Sequence, residues 1–195
     1  CRARCRKEDG LRAFFAAIET TSPAKGEPDN RVRDRAMFLL MLRCGLRIGE
    51  VANLRLTHLY LDEPYPRLVA WGKGSCERSV YLSSQTERAL RHYLRARPAS
   101  ADEHVFLSYQ LAGLSTTAIH KRLTVYREAA RVSLTAHRLR HSFANDLLSA
   151  GVPVTSIQKL LGHRWLETTQ IYVAANDRQV AQDYYAACER LEGWS

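Results

Sequence analysis

Residues 36–42 read AMFLLML, and the stretch from Arg31 to Cys44 that contains them is apolar all round from Ala36 onward. A run of that length reads as helix rather than strand. A helix with no polar face is stable only where other elements surround it. The segment therefore predicts a buried central helix, with Gly45 directly behind it as the stop. At 195 residues the chain is long enough for one domain with a real core around that helix.

The flanking patterns supply the surrounding layers. Leu11, Phe14, Phe15 and Ile18 fall on one face of a helix expected over 8–19, preceded by residues 1–7, which read as the tail of a linker. Residues 20–30 (TTSPAKGEPDN) hold Pro, Gly and Asn and predict a loop. A further helix is expected over 48–55. RLVAW (67–71) and RSVYL (78–82), joined across Gly72-Lys73-Gly74-Ser75, predict a hairpin, with a short third strand at 104–108. Ile119, Leu123, Tyr126 and Ala130 recur at helical spacing, as do Leu139, Phe143 and Leu147. Gly151-Val152-Pro153 breaks the chain before a helix ending at Gly162, and a last amphipathic helix is expected near 177–191. The fold class is mainly α with one small antiparallel β-sheet (α+β).

Twenty-nine Lys and Arg against 20 Asp and Glu give a net charge of +9. That excess favours a polyanionic partner, nucleic acid first, over a surface that is basic only for solubility. No run of 18 or more apolar residues occurs, so no membrane span is expected, and the basic start CRARCRKEDG lacks the apolar stretch of a secretion signal. A cytoplasmic location follows as the expectation. The five cysteines, at 1, 5, 44, 76 and 188, form no paired framework. Cys1 and Cys5 have two-ligand zinc spacing without a second pair, and Cys44 reads as a buried small hydrophobe, so reduced thiols and no metal are expected.

Five segments concentrate groups that a purely structural chain has little use for. In GLRIGEV (45–51), Arg47 sits between a helix stop and a helix start, either paired with Glu50 as a surface arginine or aimed at a ligand. Gly72-Lys73-Gly74 leaves a lysine projecting from a turn whose glycines allow close backbone approach. In AHRLRHSFA (136–144), His137, Arg140 and His141 share a helical face. Two imidazoles and a guanidinium are costly to bury unpaired, and they suit a phosphate that accepts several charge-assisted hydrogen bonds. LLGH (160–163) places His163 behind a glycine cap, and Tyr172 lies between Ile171 and Val173, where a lone tyrosine is ordinarily a core aromatic.

Taken in order, Arg47, Lys73, His137, Arg140, His163 and Tyr172 resemble the signature of the tyrosine recombinases, or phage integrases, and the words GLRIGE, GKG, HRLRHSFA, LLGH and TTQIY resemble that family's. The resemblance covers roughly residues 8–190. It departs from many relatives at Cys76, which stands near the place of a second lysine, and the N-terminal core-binding domain of larger members is expected to be absent here, so 8–195 reads as a catalytic domain.

The resemblance implies attack by Tyr172 on a DNA phosphodiester, giving a 3′-phosphotyrosine bond and a free 5′-hydroxyl without metal, cofactor or ATP. Arg47, Arg140 and His163 would stabilise the five-coordinate phosphorus, since guanidinium forks match its oxygens. His137 would accept or relay the phenol proton, and Lys73 would protonate the leaving oxygen. The implied partner is double-stranded DNA, bound as a homo-tetramer by a chain that is monomeric when free and works on the nucleoid. Val180, Tyr184, Ala187 and Leu191 mark a C-terminal helix that either packs on its own domain or passes to a neighbour. A type IB topoisomerase-like DNA-relaxing enzyme and a non-catalytic DNA-binding regulator are the alternatives.

Overall fold

The computed structural model describes residues 2–22, 29–72, 77–162 and 177–192, with side chains placed from residue 9 in the first stretch and over 180–191 in the last. In chain order these residues form α1 (Arg2–Thr20), α2 (Arg31–Arg43), α3 (Ile48–Ala52), β1 (Leu59–Tyr60), β2 (Arg67–Trp71), β3 (Glu77–Tyr81), α4 (Ser84–Ala96), α5 (Thr116–Ala129), α6 (Ala136–Ser149), α7 (Val154–Leu161) and α8 (Asp177–Glu192). The class is the expected one, mainly helical with a single antiparallel sheet in the order β1-β2-β3.

The apolar segment is indeed central. Met37, Phe38, Leu40 and Met41 of α2 are fully buried, enclosed by α1, α3, α4 and α6. Phe14 and Ile18 of α1, Leu90 and Tyr93 of α4, Ile119, Leu123 and Tyr126 of α5, and Leu68, Ala70 and Val80 of the sheet complete one large cluster. Register explains the sheet's share: Leu68 pairs with Val80 and Ala70 with Arg78, so these four side chains point to the same, inner face. Cys44 is buried as expected, and burial pushes its thiol up to about 12, where it is inert.

A second, smaller cluster joins Phe143 and Leu147 of α6, Ile157, Leu160 and Leu161 of α7, and Val180, Tyr184, Ala187 and Cys188 of α8 to Tyr81 at the end of β3. Here α8 packs on its own chain. The Tyr184 hydroxyl donates to the Arg43 carbonyl at 2.9 Å and that of Tyr185 to the Pro66 carbonyl at 3.0 Å.

Three expectations need correction. The third strand is β1, not 104–108. Val105, Phe106 and Leu107 are buried as an apolar run suggests, yet this stretch makes only isolated bridges, Arg55 to His104 and Leu107 to Gly113. The first helix begins at Arg2 rather than at 8, so residues 2–7 are helical; arginine, lysine and glutamate are good helix formers, and nothing in that basic stretch breaks a helix. The helix expected over 48–55 ends at Ala52, where Asn53 caps it. No described helix is long and apolar enough to cross a membrane.

Candidate active site

The site begins where α2 ends. Gly45 has φ +64°, and a Cβ there would lie 2.5 Å from the Phe143 ring, so both the turn and the close approach require glycine. The turn delivers Arg47 to the N-cap of α3. An arginine has no acceptor with which to cap a helix. Instead the Glu50 carboxylate folds back, accepting the Arg47 backbone N–H at 2.7 Å and the guanidinium Nη1 at 3.0 Å.

Glu50 is the hub of the cluster. Its side chain is 3% exposed, and Arg78 of β3 forks onto it, Nη1 to Oε1 at 2.5 Å and Nη2 to Oε2 at 2.9 Å. Arg140 of α6 stands behind it, with Nη1 4.0 Å from Glu50 Oε2. Arg140 also donates from Nη1 to the Gly45 carbonyl and from Nη2 to the Leu161 carbonyl at 2.5 Å. Arg78 Nε takes the neighbouring Leu160 carbonyl at 2.9 Å. Two of the carbonyls that the last turn of α7 leaves without a helical partner are thus held by guanidiniums, which the helix C-terminus favours. The helix ends at Gly162, in the left-handed conformation (φ 61°).

The electrostatics follow from three guanidiniums around one carboxylate. Burial pushes the Glu50 carboxyl up, but the hydrogen bonds and charge of Arg78, then those of Arg47, more than reverse it and hold it below the ordinary value. Arg140 moves the other way. Burial, then the charges of Arg47 and Arg78, lower it to about 10, opposed by the charge of Glu50. Holding the cation there therefore carries a cost in desolvation and in repulsion from its two neighbours. The Arg47 side chain, 45% exposed, opens the cluster to solvent.

The sequence expectations divide here. Arg47 and Arg140 meet at one carboxylate, and Arg47 is paired with Glu50 while its side chain is 45% exposed. The shared face of His137, Arg140 and His141 is split by depth. Arg140 is buried, because its donors meet carbonyls, whereas His137 and His141 are exposed and lie Nε2 to Nε2 at 2.7 Å, one donating and the other accepting. Thr135 caps this helix, accepting from the Arg138 N–H at 3.2 Å. Lys73, His163 and Tyr172 lie outside the described residues. Sequence reasoning passed over Arg78 and treated Glu50 only as a surface partner. The available signal was an arginine alternating with Val80 on the inner face of a strand. Among the described residues, no three His, Cys, Asp or Glu side chains are grouped to hold a metal ion.

The family model described as the phage integrase family matches residues 7–179. The tyrosine recombinase XerC of Leptospira interrogans is 35% identical over 182 residues, covering 89% of this chain and 58% of the relative. The tyrosine recombinase XerA of Thermococcus kodakarensis is 38% identical over 173 residues, covering 85% and 60%. The crystal structure of XerA recombinase superposes with a TM-score of 0.70 at 26% identity, covering 91% of this chain and 62% of that one. The chain thus spans somewhat less than two thirds of the length of these relatives. With that profile matched over most of its sequence, the chain belongs to the phage integrase family.

Proposed function

We propose that residues 8–195 are the catalytic domain of a site-specific DNA recombinase that cuts and rejoins strands through a 3′-phosphotyrosine intermediate. The observation that carries the reading is the convergence of Arg47, Arg78 and Arg140 on the single carboxylate of Glu50, a cluster with more positive charge than its own acceptor balances. A DNA phosphate supplies the missing anion. As the phosphorus becomes five-coordinate, charge grows on its non-bridging oxygens, and donors already fixed in place stabilise that state without reorganising.

Each residue then has a task. Arg47 presents its fork from the solvent side, and Arg140 adds its remaining donors from beneath. His137, exposed on the helix that carries Arg140, takes the proton that Tyr172 loses on attack. His163 donates to the phosphoryl oxygens, and Lys73 protonates the departing 5′-oxygen. The phosphotyrosine keeps the ester bond, so a 5′-hydroxyl from another strand reverses the step without ATP. We place the reaction on double-stranded DNA in the cytoplasm, at the nucleoid, carried out by a homo-tetramer assembled from chains that are monomeric when free.

The test uses nicked duplexes of randomised sequence, which trap cleavage by losing the short strand beyond the nick. Protein-linked DNA is purified under denaturing conditions and sequenced. The expected result is a covalent adduct enriched for one sequence and absent with Tyr172→Phe. Adducts that survive that substitution overturn the nucleophile. Adducts without sequence preference, together with relaxation of any supercoiled plasmid, favour a topoisomerase.

A further inference from the structure

Arg78 has an unusual position for a strand residue. Its cross-strand partner is Ala70 and its face is that of Leu68 and Val80, the apolar side that covers the core. An arginine there without partners is strongly unfavourable, because its charge loses water and gains nothing in return. Its side chain is 9% exposed, yet each of its three nitrogens has an acceptor: both Glu50 oxygens and the Leu160 carbonyl. Its aliphatic stem is used as well, since a Cβ on Gly162 would lie 2.9 Å from Arg78 Cδ. The turn that closes α7 therefore needs glycine both for its φ and for room beside this arginine.

The geometry has a consequence for Arg47, whose guanidinium is anchored to the protein at Glu50. A carboxylate and a guanidinium left alone pair fork to fork, each using both of its ends. Arg78 already occupies both Glu50 oxygens in that way. Among the described residues the Arg47 guanidinium has a single contact, through Nη1, so its other donors face away from Glu50. From this arrangement, and resting on the strand-cleaving reading above, we infer that Arg78 is a positioning residue of the site: it acts through Glu50, fixing the carboxylate that aims Arg47 while preventing it from capturing the Arg47 fork.

The same arginine sets the balance of charge. Glu50 faces Arg47 from its own helix, Arg78 from the sheet and Arg140 from α6. With Arg78 removed, burial still pushes the Glu50 carboxyl up, and the strongest opposing group is gone. Glu50 then takes up a proton at milder acidity, and while ionised it pairs closely with Arg47.

The experiment compares wild type, Arg78→Ala and Arg78→Lys on the nicked duplex selected above, measuring adduct formation in a single turnover with protein in excess. The expected result is cleavage slowed by about 100-fold in Arg78→Ala, the scale for misplacing a group by around an ångström, with affinity for the duplex unchanged. Methylguanidinium ion, which fits the vacated fork, restores part of the rate, and the acid limb of the pH–rate profile moves to higher pH. Arg78→Lys, which keeps the charge and loses the fork, falls between. Wild-type cleavage in folded Arg78→Ala overturns the inference. So does a rate loss matched by lost affinity, with no response to methylguanidinium and an unmoved acid limb. If wild type itself forms no adduct, the recombinase reading is what fails. The Glu50 carboxyl, followed by carbon NMR in wild type and in whichever variant folds, then decides: a rise on loss of the Arg78 fork supports the inference, and an unchanged titration ends it.

Discussion

Among the described residues, two carboxylates are buried at the centre of guanidinium clusters, and they have opposite characters. Asp34 on α2 is fully buried, with Oδ1 taken by Arg33 at 2.8 Å and Oδ2 by Arg122 at 2.6 Å and the Tyr126 hydroxyl at 2.8 Å. Arg33 Nη1 closes the cluster on the Leu107 carbonyl, and the rings of Phe14 and Phe38 pack edge-on against Tyr126. Burial lowers the Arg122 guanidinium, but the charge and hydrogen bond of Asp34 more than compensate and raise it. At Glu50 the same ingredients leave Arg140 depressed to about 10. The first cluster sets two guanidiniums against its carboxylate and the second three, and one member of the second faces water. Residue types alone do not separate a structural cluster from a ligand site. The exposure of their members does: the guanidiniums on Asp34 are 7% and 20% exposed, whereas Arg47 on Glu50 is 45% exposed.

The contrast breaks most readily at the hubs. Asp34→Ala and Glu50→Ala each leave buried guanidiniums uncompensated, and each is expected to lose roughly 3–5 kcal/mol in denaturant unfolding. Sulfate at fixed ionic strength should restore part of the loss in Glu50→Ala beyond its general effect, which Asp34→Ala measures. Equal recovery in both would mean that the second cluster is as closed as the first.

Next in size is the effect on chemistry. Arg47→Lys and Arg140→Lys should slow adduct formation by about 100- to 1000-fold, the scale of one lost preorganised donor. Arg122→Lys, corrected for folded fraction, should cleave at the wild-type rate. A comparable loss at Arg122 would erase the distinction between the two clusters.

The smallest effect sharpens the comparison through pH. The Glu50 carboxyl is held below its ordinary value of 4.5 in the folded chain. Its stabilising contribution is therefore complete above that value and is lost as pH falls through the lower folded value. Thermal stability of wild type relative to Glu50→Gln should be constant from neutrality to about pH 5 and then fall on further acidification. A difference already shrinking between pH 7 and 6 would contradict a depressed Glu50 carboxyl.

How much of this was legible in the sequence depended on the distance over which the signal is written. AMFLLML marked α2 because an apolar helix needs no partner to be recognised, and Gly162 marked the end of α7 because the cap is local. The helix α4 was not singled out, although Ser83 caps it by accepting from the Thr86 N–H and Leu90 and Tyr93 line its buried face. The third strand was misplaced because β1 has only two residues, Leu59 and Tyr60, too few to show alternation, whereas the buried run at 105–107 mimics a strand. Arg47 and Arg140 stood out through their neighbours. Arg78 did not, because its partners Glu50 and Leu160 are 28 and 82 residues away, and no periodicity encodes a contact of that kind.

The two carbonyls that Arg140 holds belong to different packing units. Gly45 follows the helix at the heart of the large cluster, and Leu161 is a member of the small one. One side chain thus sutures the two packing units at the place where we propose that the phosphate binds. A shear between those units would tilt the guanidinium plane, so the aim of Arg140 depends on how the two clusters sit together. Rigidity in either unit would be felt there as alignment, and softening in either as lost focus.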